Sequence, residues 1–245
     1  MNLVRPLSRW ANVPVIMSRD VPDDPFAALE GEPPQGRPML QEAMDECDRR
    51  LKAVADLVSD AIGPMTEAFL SGDTLTAQKL VAADREIDVR CQELEEMGFV
   101  LIARQGPVAR DLRRVIAILR CVNDVLRSGD LLRHVGESLR WIHPPSLNPK
   151  LRETVQQLGT ISQQLFEGGV AAWMSQDALA ANELENADDQ VDLLQKVLLT
   201  DLYTGEQSVE EAVSLALIAR YYERIADHGV EIARQVSFVV TGDRV

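Results

Sequence analysis

Cysteine is scarce: Cys47, Cys91 and Cys121 are odd in number and widely spaced. That pattern fits a reducing compartment and excludes both a disulfide framework and a zinc knuckle. Long apolar runs are missing too. The longest, "FVLIA" and "VIAIL", have five residues each, against the roughly 20 needed for a spanning helix. "VPVIM", near the start, is short and interrupted by proline, unlike the core of a signal peptide. Positive charge is in deficit, with 25 Lys and Arg against 39 Asp and Glu and a net charge of −14. Nucleic acid and anionic membrane surfaces both draw affinity from Lys and Arg, so neither is expected as a partner. Histidine is limited to His134, His143 and His228, and the residues three before them are Leu131, Arg140 and Ile225. A ferritin-like di-iron bundle needs inward Glu-x-x-His pairs and is excluded. Strand signals are almost absent after Leu40, so no Gly-rich phosphate loop follows a strand. No Ser or Cys nucleophile can be tied to a base. The expectation is a cytoplasmic protein that is not an enzyme.

What the chain does have is helical period. At 46% hydrophobic over 245 residues, it can bury the core of one or two domains. Residues 1–38 hold seven of the twelve prolines and show no sustained period, which predicts a disordered arm or an over-long start, with true initiation near Met39 or Met44. Beyond it, breaks at "SGDT", "RQGPV", "HPPSLNP", "SQDA" and "YTGEQS" divide the chain into six helices of about 25 to 35 residues. Pro107 and Pro149 suit first helical positions, Asn148 suits a cap, and Ser208 with Glu211 forms a capping box. Gly63-Pro64 predicts a kink or break in the first helix. The six helices contain a repeat. "SGDTLTAQKLVAADREID" lines up with "SQDALAANELENADDQVD" at an offset of 104, placing Asp84 against Asp188 and Asp88 against Asp192. "VNDVLRSGDLLRHVGESLR" lines up with "ARYYERIADHGVEIARQVS" at an offset of 97, placing Asp130 against Asp227. The fold class expected is all-α: two tandem three-helix bundles, over 39–143 and 144–245.

In the last helix, Ile218, Tyr222, Ile225, Gly229, Ile232 and Val236 fall in one seam at spacings of three and four, which marks the core face. Glu223, Asp227 and Glu231 lie almost opposite, on a face shared with Arg220, Arg224 and Arg234. Like charges one turn apart cost a few tenths of a kcal/mol per pair. Two readings stand. The row is a salt-bridged, solvated face, or it is a hard-cation site completed by oxygen ligands from another helix.

"YYERIADHGVEIA" resembles the signature "L-E-R-I-A/G-D-H-A-V-N-I-A" of the PhoU family, bacterial regulators of phosphate uptake. "LIARQGPVARDLRRVIAILRCVND" resembles the family's "R-Q-P-V-A-x-D-L-R-x-I" segment. The duplication matches as well, and the resemblance covers about residues 44 to 240. It implies two tandem three-helix bundles without enzymatic activity, in a cytoplasmic protein peripheral to the membrane through its partners. Those partners would be the ATPase subunit of a phosphate-specific ABC transporter and a phosphate-sensing histidine kinase, with a homodimer expected. The chain would keep the phosphate-starvation response off when phosphate is plentiful. The rival function is a metal-storing helical bundle without a signalling role.

The family's E/D-x-x-x-D motifs bind metal clusters in some members, so divalent or ferric ions (iron, zinc, magnesium or manganese) are the implied cofactors. The second motif is intact as Glu223-x-x-x-Asp227. The first has Leu126 where the leading acid belongs, leaving Asp130, with Asp124 two positions early. The implied metal ligands are therefore Glu223, Asp227 and Asp130, with Asp124 and Glu231 as accessories. His228 reads as a flank of the motif or a surface residue, and His134 as a local partner or an aid to a degenerate metal site. Arg113, Arg120 and Arg127 repeat every seven residues and form one row, read either as a docking strip for an acidic partner or as counter-charges to the acids of residues 84–96. Trp141 and Trp173 read as core caps near helix ends.

Overall fold

A computed structural model of the chain describes residues 37–242. Among the described residues there are six α-helices and no strand: α1 (Arg37–Ser71), α2 (Thr74–Gln105), α3 (Ala109–Glu137), α4 (Pro149–Ser175), α5 (Ala180–Thr204) and α6 (Val209–Thr241). Two short helical turns, Ser138–Arg140 and Pro144–Ser146, carry the chain from α3 to α4. The expectations for the first 36 residues fall outside the described part.

The punctuating residues act as their chemistry requires. Asp73 Oδ1 accepts from the backbone N–H groups of Leu75 and Thr76, each at 3.1 Å, and starts α2. Gly106 ends it at φ 54°, a left-handed conformation that costs glycine little. Asn148 accepts from Leu151 N at 2.9 Å with Pro149 at the first helical position. Ser208 and Glu211 make the reciprocal capping box of α6. Pro107 does not take a first helical position, and Pro64 does not break its helix. Pro107 lies two residues before α3, whose cap position is Val108. Pro64 sits inside α1, which runs through it unbroken. The penalty of an interior proline, about 3 kcal/mol, is outweighed by burial of Ile62, Met65 and Phe69 on either side.

Each half is a three-helix unit, α1–α3 and α4–α6, and the halves pack on each other through α1 against α4 and α3 against α6. Outer helix α2 lies against α1 and α3, and α5 lies against α4 and α6. One apolar core is continuous through both halves. Polar links cross the junction as well. Thr66 Oγ1 meets the Tyr222 hydroxyl at 2.7 Å in a fully buried position, and Trp173 Nε1 donates to Asp48 Oδ1 at 3.0 Å. The three cysteines are free and buried, and burial pushes the Cys47 and Cys91 thiols up to about 11 and about 12.

Candidate functional site

Helix α6 packs against α3, α4 and α5, so it is enclosed on three sides. Its apolar seam is buried as expected, with Tyr222, Ile225 and Val236 at zero exposure. The opposite face is not a solvated one. Glu223 is only 7% exposed, and Asp227 and Glu231 are half-buried. A projection of one helix shows which residues share a face but not how many neighbours cover it.

Glu223 is bonded on one side by the Arg220 guanidinium, while its buried Oε2 has no hydrogen-bond partner. Burial and the neighbouring Asp227 carboxylate push Glu223 up to about 7. Across the gap, on α5, Asp188 has a buried, unpartnered Oδ1 and is pushed up to about 6 by burial, Asp227, Asp192 and Asp189. Asp227 bonds Arg224 at 3.3 Å and is also raised, chiefly by burial. Four carboxylates from α5 and α6, Asp188, Asp192, Glu223 and Asp227, thus come together, and the basic side chains paired with them, Arg220, Arg224 and Lys196, are largely exposed. Asp188 and Asp192 had no assigned role in the sequence reading, although the repeat alignment already paired them with Asp84 and Asp88.

The residues fit a hard cation. Buried oxygens without partners are costly, and carboxylates from two helices are the ligand type that Mg²⁺, Mn²⁺ and ferric sites use. Among the described residues no three His, Cys, Asp or Glu side chains stand in metal-coordinating geometry, so an ion would have to draw them inward.

The first repeat differs. Asp130 is bonded by Arg133 at 3.2 Å and Arg127 at 3.5 Å, and Leu126 packs against the core. Asp130 is thus flanked by two arginines of its own helix. It also lines an open cavity of about 610 Å³ between α3 and α6, together with Asp124, Asp227, Glu231, Arg127 and Arg224. Asp124 and Glu231 face each other there, and burial followed by the Glu231 charge pushes Asp124 up to about 7. Glu231 is held by Gln235 at 2.6 Å and Arg234 at 3.5 Å.

Asp124 allows a direct stability test. A carboxyl whose folded pKa is raised stabilises the fold fully below its unfolded pKa near 3.9 and loses that stability as pH rises through about 7. Three units would be about 4 kcal/mol, and partial water access reduces this to about 2 kcal/mol. Asp124→Asn is therefore expected to stabilise the protein at pH 8 and to flatten the gain seen on acidifying toward pH 5. Urea unfolding at both values measures it, and an unchanged pH slope would contradict the assignment.

Several single residues fall elsewhere than expected. His228 is buried, not on the surface, and its Nδ1 lies 2.9 Å from Ser128 Oγ on α3. Burial, with Arg224 and Arg127 nearby, depresses it to about 4, so it is neutral. His134 has the expected local partner, Glu137 at 3.5 Å, and also meets the Tyr221 ring of α6 at 5.6 Å. The arginine row is not one exposed strip. Arg113 is 3% exposed, whereas Arg120 and Arg127 are exposed, Arg120 bonding Gln235 at 3.1 Å and lying over Phe238 and Arg127 pairing with Asp130 at 3.5 Å. The reason is that α3 packs against α1, α2 and α6 and has little free surface. Trp173 is a core residue as expected, but Trp141 is 74% exposed.

Comparison with known proteins agrees with this architecture. The PhoU domain family model matches residues 51–139 and again 155–236. The phosphate-specific transport system accessory protein PhoU homolog 1 of Mycobacterium leprae is 33% identical over 209 residues, 84% of this chain and 94% of that protein. PhoU homolog 2 of Mycobacterium tuberculosis is 33% identical over 209 residues, covering 84% and 98%. The crystal structure of PhoU from Pseudomonas aeruginosa superposes with a TM-score of 0.77 at 25% identity over 83% of this chain and 99% of that one. The phosphate transport system regulatory protein PhoU from Streptococcus pneumoniae shares the fold at a TM-score of 0.77 and 22% identity, over 84% and 99%. With two matched domains, a duplicated helical fold and relatives covered over nearly their whole length, this chain belongs to the PhoU family.

Proposed function

We propose that the chain is a cytoplasmic regulator acting by binding. It links the ATPase subunit of a phosphate-specific ABC transporter to a phosphate-sensing histidine kinase and holds the starvation response off in phosphate-rich conditions. The mycobacterial relatives, named as accessory proteins of phosphate-specific transport, support the first half of this reading. Among the described residues no helix is long and apolar enough to cross a membrane, so contact with a membrane-bound transporter would run through protein surfaces.

The observation that carries the reading to particular residues is that two of the three buried, unpartnered carboxylate oxygens among the described residues, on Glu223 and Asp188, lie in this one cluster, the third being on Asp201, which pairs with Lys150. Buried carboxylate oxygens without a partner call for an explanation. Glu223 and Asp227 of α6, with Asp188 and Asp192 of α5, would hold a divalent or ferric ion. When bound, that ion supplies positive charge within the cluster. Because α6 also lines the cavity shared with α3, the charge state of this cluster bears on the junction of the two repeats.

The test replaces the chromosomal copy with a Glu223→Gln, Asp227→Asn variant and reads a phosphate-starvation reporter in phosphate-rich medium. Both substitutions keep side-chain size and remove charge, so helicity and abundance should be retained while repression is lost. Full repression by a metal-depleted variant would remove the cluster from the regulatory role.

A further inference from the structure

We infer that the first repeat takes no metal ion because Arg133 supplies that positive charge from within the chain. The inference rests on the metal reading of the second repeat and concerns why its counterpart differs.

The two repeats can be compared position by position. Asp84 and Asp188 correspond, as do Asp88 and Asp192, and Asp130 and Asp227. Around these shared acids several positions differ in charge, including Asn123 against Arg220. Leu126 stands against Glu223, Arg133 against Val230, and Glu137 against Arg234. Those three exchanges sum to the same charge in both repeats, so what separates the repeats is where the guanidinium sits.

The geometry shows what the guanidinium does. Arg133 Nε donates to Asp84 Oδ2 at 3.1 Å, one terminal nitrogen to Asp130 Oδ1 at 3.2 Å, and the other to Glu137 Oε1 at 3.0 Å. Three carboxylates, one from α2 and two from α3, converge on one cation that is charged at every physiological pH. Gly129 lets Asp84 come this close, since a Cβ there would lie 2.8 Å from Asp84 Oδ1. No buried oxygen of Asp84, Asp130 or Glu137 is left without a partner, unlike Asp188 and Glu223.

In the second repeat the available arginines cannot do the same. Arg220, Arg224 and Arg234 reach their acids from the side, and Arg220 and Arg224 are 52% and 45% exposed. Val230, at the position of Arg133, carries no charge and lines the cavity. An ion entering the first repeat would have to displace a like charge already held by three carboxylates. An ion entering the second would meet the unpartnered Oδ1 of Asp188 and Oε2 of Glu223.

The experiment titrates the full chain with Mn²⁺ alone, following binding by calorimetry and by the electron paramagnetic resonance of free Mn²⁺. The unmodified chain should load at one place, and Glu223→Gln/Asp227→Asn should abolish that loading. In this silenced background, adding Leu126→Glu and Arg133→Val should restore binding at the first repeat, with Asp84→Asn removing it again. The reciprocal change, Val230→Arg with every carboxylate intact, should abolish loading of the second repeat. It decides the matter if the rebuilt first repeat fails to fold. The inference is overturned if the silenced chain still binds Mn²⁺ through Asp84 and Asp130. It is equally overturned if the rebuilt, helical chain gains nothing, or if the Val230→Arg chain binds as the unmodified one does. If the unmodified chain binds no Mn²⁺, the reading of the second repeat fails, and the inference stands or falls on the rebuilt first repeat.

Discussion

Arg114→Met is expected to lower the folding free energy by about 4 kcal/mol, more than any exposed ion pair in the chain could account for. Arg114 reaches from α3 to two acids of α1, bonding Asp45 Oδ1 at 2.7 Å and Asp48 Oδ2. The side chains of Arg114 and Asp48 are 17% and 11% exposed, so little water screens the pair. Asp48 also accepts from Trp173 Nε1 of α4, which makes it a three-helix junction across the two halves. Methionine fills the volume but leaves Asp48 buried with one neutral donor. Burial already raises Asp48 above the usual carboxylate range, and losing the guanidinium raises it further. The loss should therefore be largest at neutral pH and shrink on acidifying, as Asp48 takes up a proton. Asp48→Asn combined with Arg114→Met should recover stability to within about 1 kcal/mol of the unmodified chain, because asparagine still accepts from Trp173 without a charge. Urea unfolding of both variants at pH 7 and pH 5 measures this. A cost below about 1 kcal/mol for Arg114→Met would show that Asp48 is not paired as described.

Helix punctuation was legible residue by residue. Asn148, Ser208 and Glu211 act through local hydrogen bonds that depend only on the few residues around them. The α6 seam was legible because burial of one face imposes a period. Tertiary neighbours were not legible. The row of Glu223, Asp227 and Glu231 kept two readings, a solvated face or a cation site, because nothing in α6 alone announces that α5 and α3 cover it. For Arg113 and His228 two readings stayed open for the same reason: each sits where α3 meets other helices, and which neighbour covers a polar residue there is set by the fold. Pro64 followed from local propensity, which packing of α1 overrode. The acids of α5 were visible in the repeat alignment, but their value to the site depends on an approach between α5 and α6 that only the fold supplies.

That dependence on helix approach makes Gly229→Ala the other substitution with a large expected effect. At the α4–α6 crossing Gly229 faces Gly169, and a Cβ on Gly229 would lie 2.5 Å from Leu165 O and 2.6 Å from Phe166 Cα. Those are backbone atoms, which cannot rotate aside, so the helices must separate. The cost expected is about 3 kcal/mol, at the upper end for overpacking. The family signature carries alanine at this position, so a residue acceptable elsewhere in the family is expected to be costly in this chain. Two other glycines calibrate the result. A Cβ on Gly168 would meet the flexible tip of Leu184 at 2.7 Å, and Gly168→Ala should cost about 1 kcal/mol. Gly106 has open space around it but sits at φ 54°, so Gly106→Ala should also cost only about 1 kcal/mol, from backbone strain. Gly229→Ala should also disturb the site, because moving α6 away from α4 shifts Glu223 and Asp227 relative to α5. Reduced Mn²⁺ uptake would accompany the lower urea midpoint. Equal midpoints for the Gly229 and Gly168 variants would show that the two helices can part at little cost, and that the position of the carboxylate cluster is not held by this crossing.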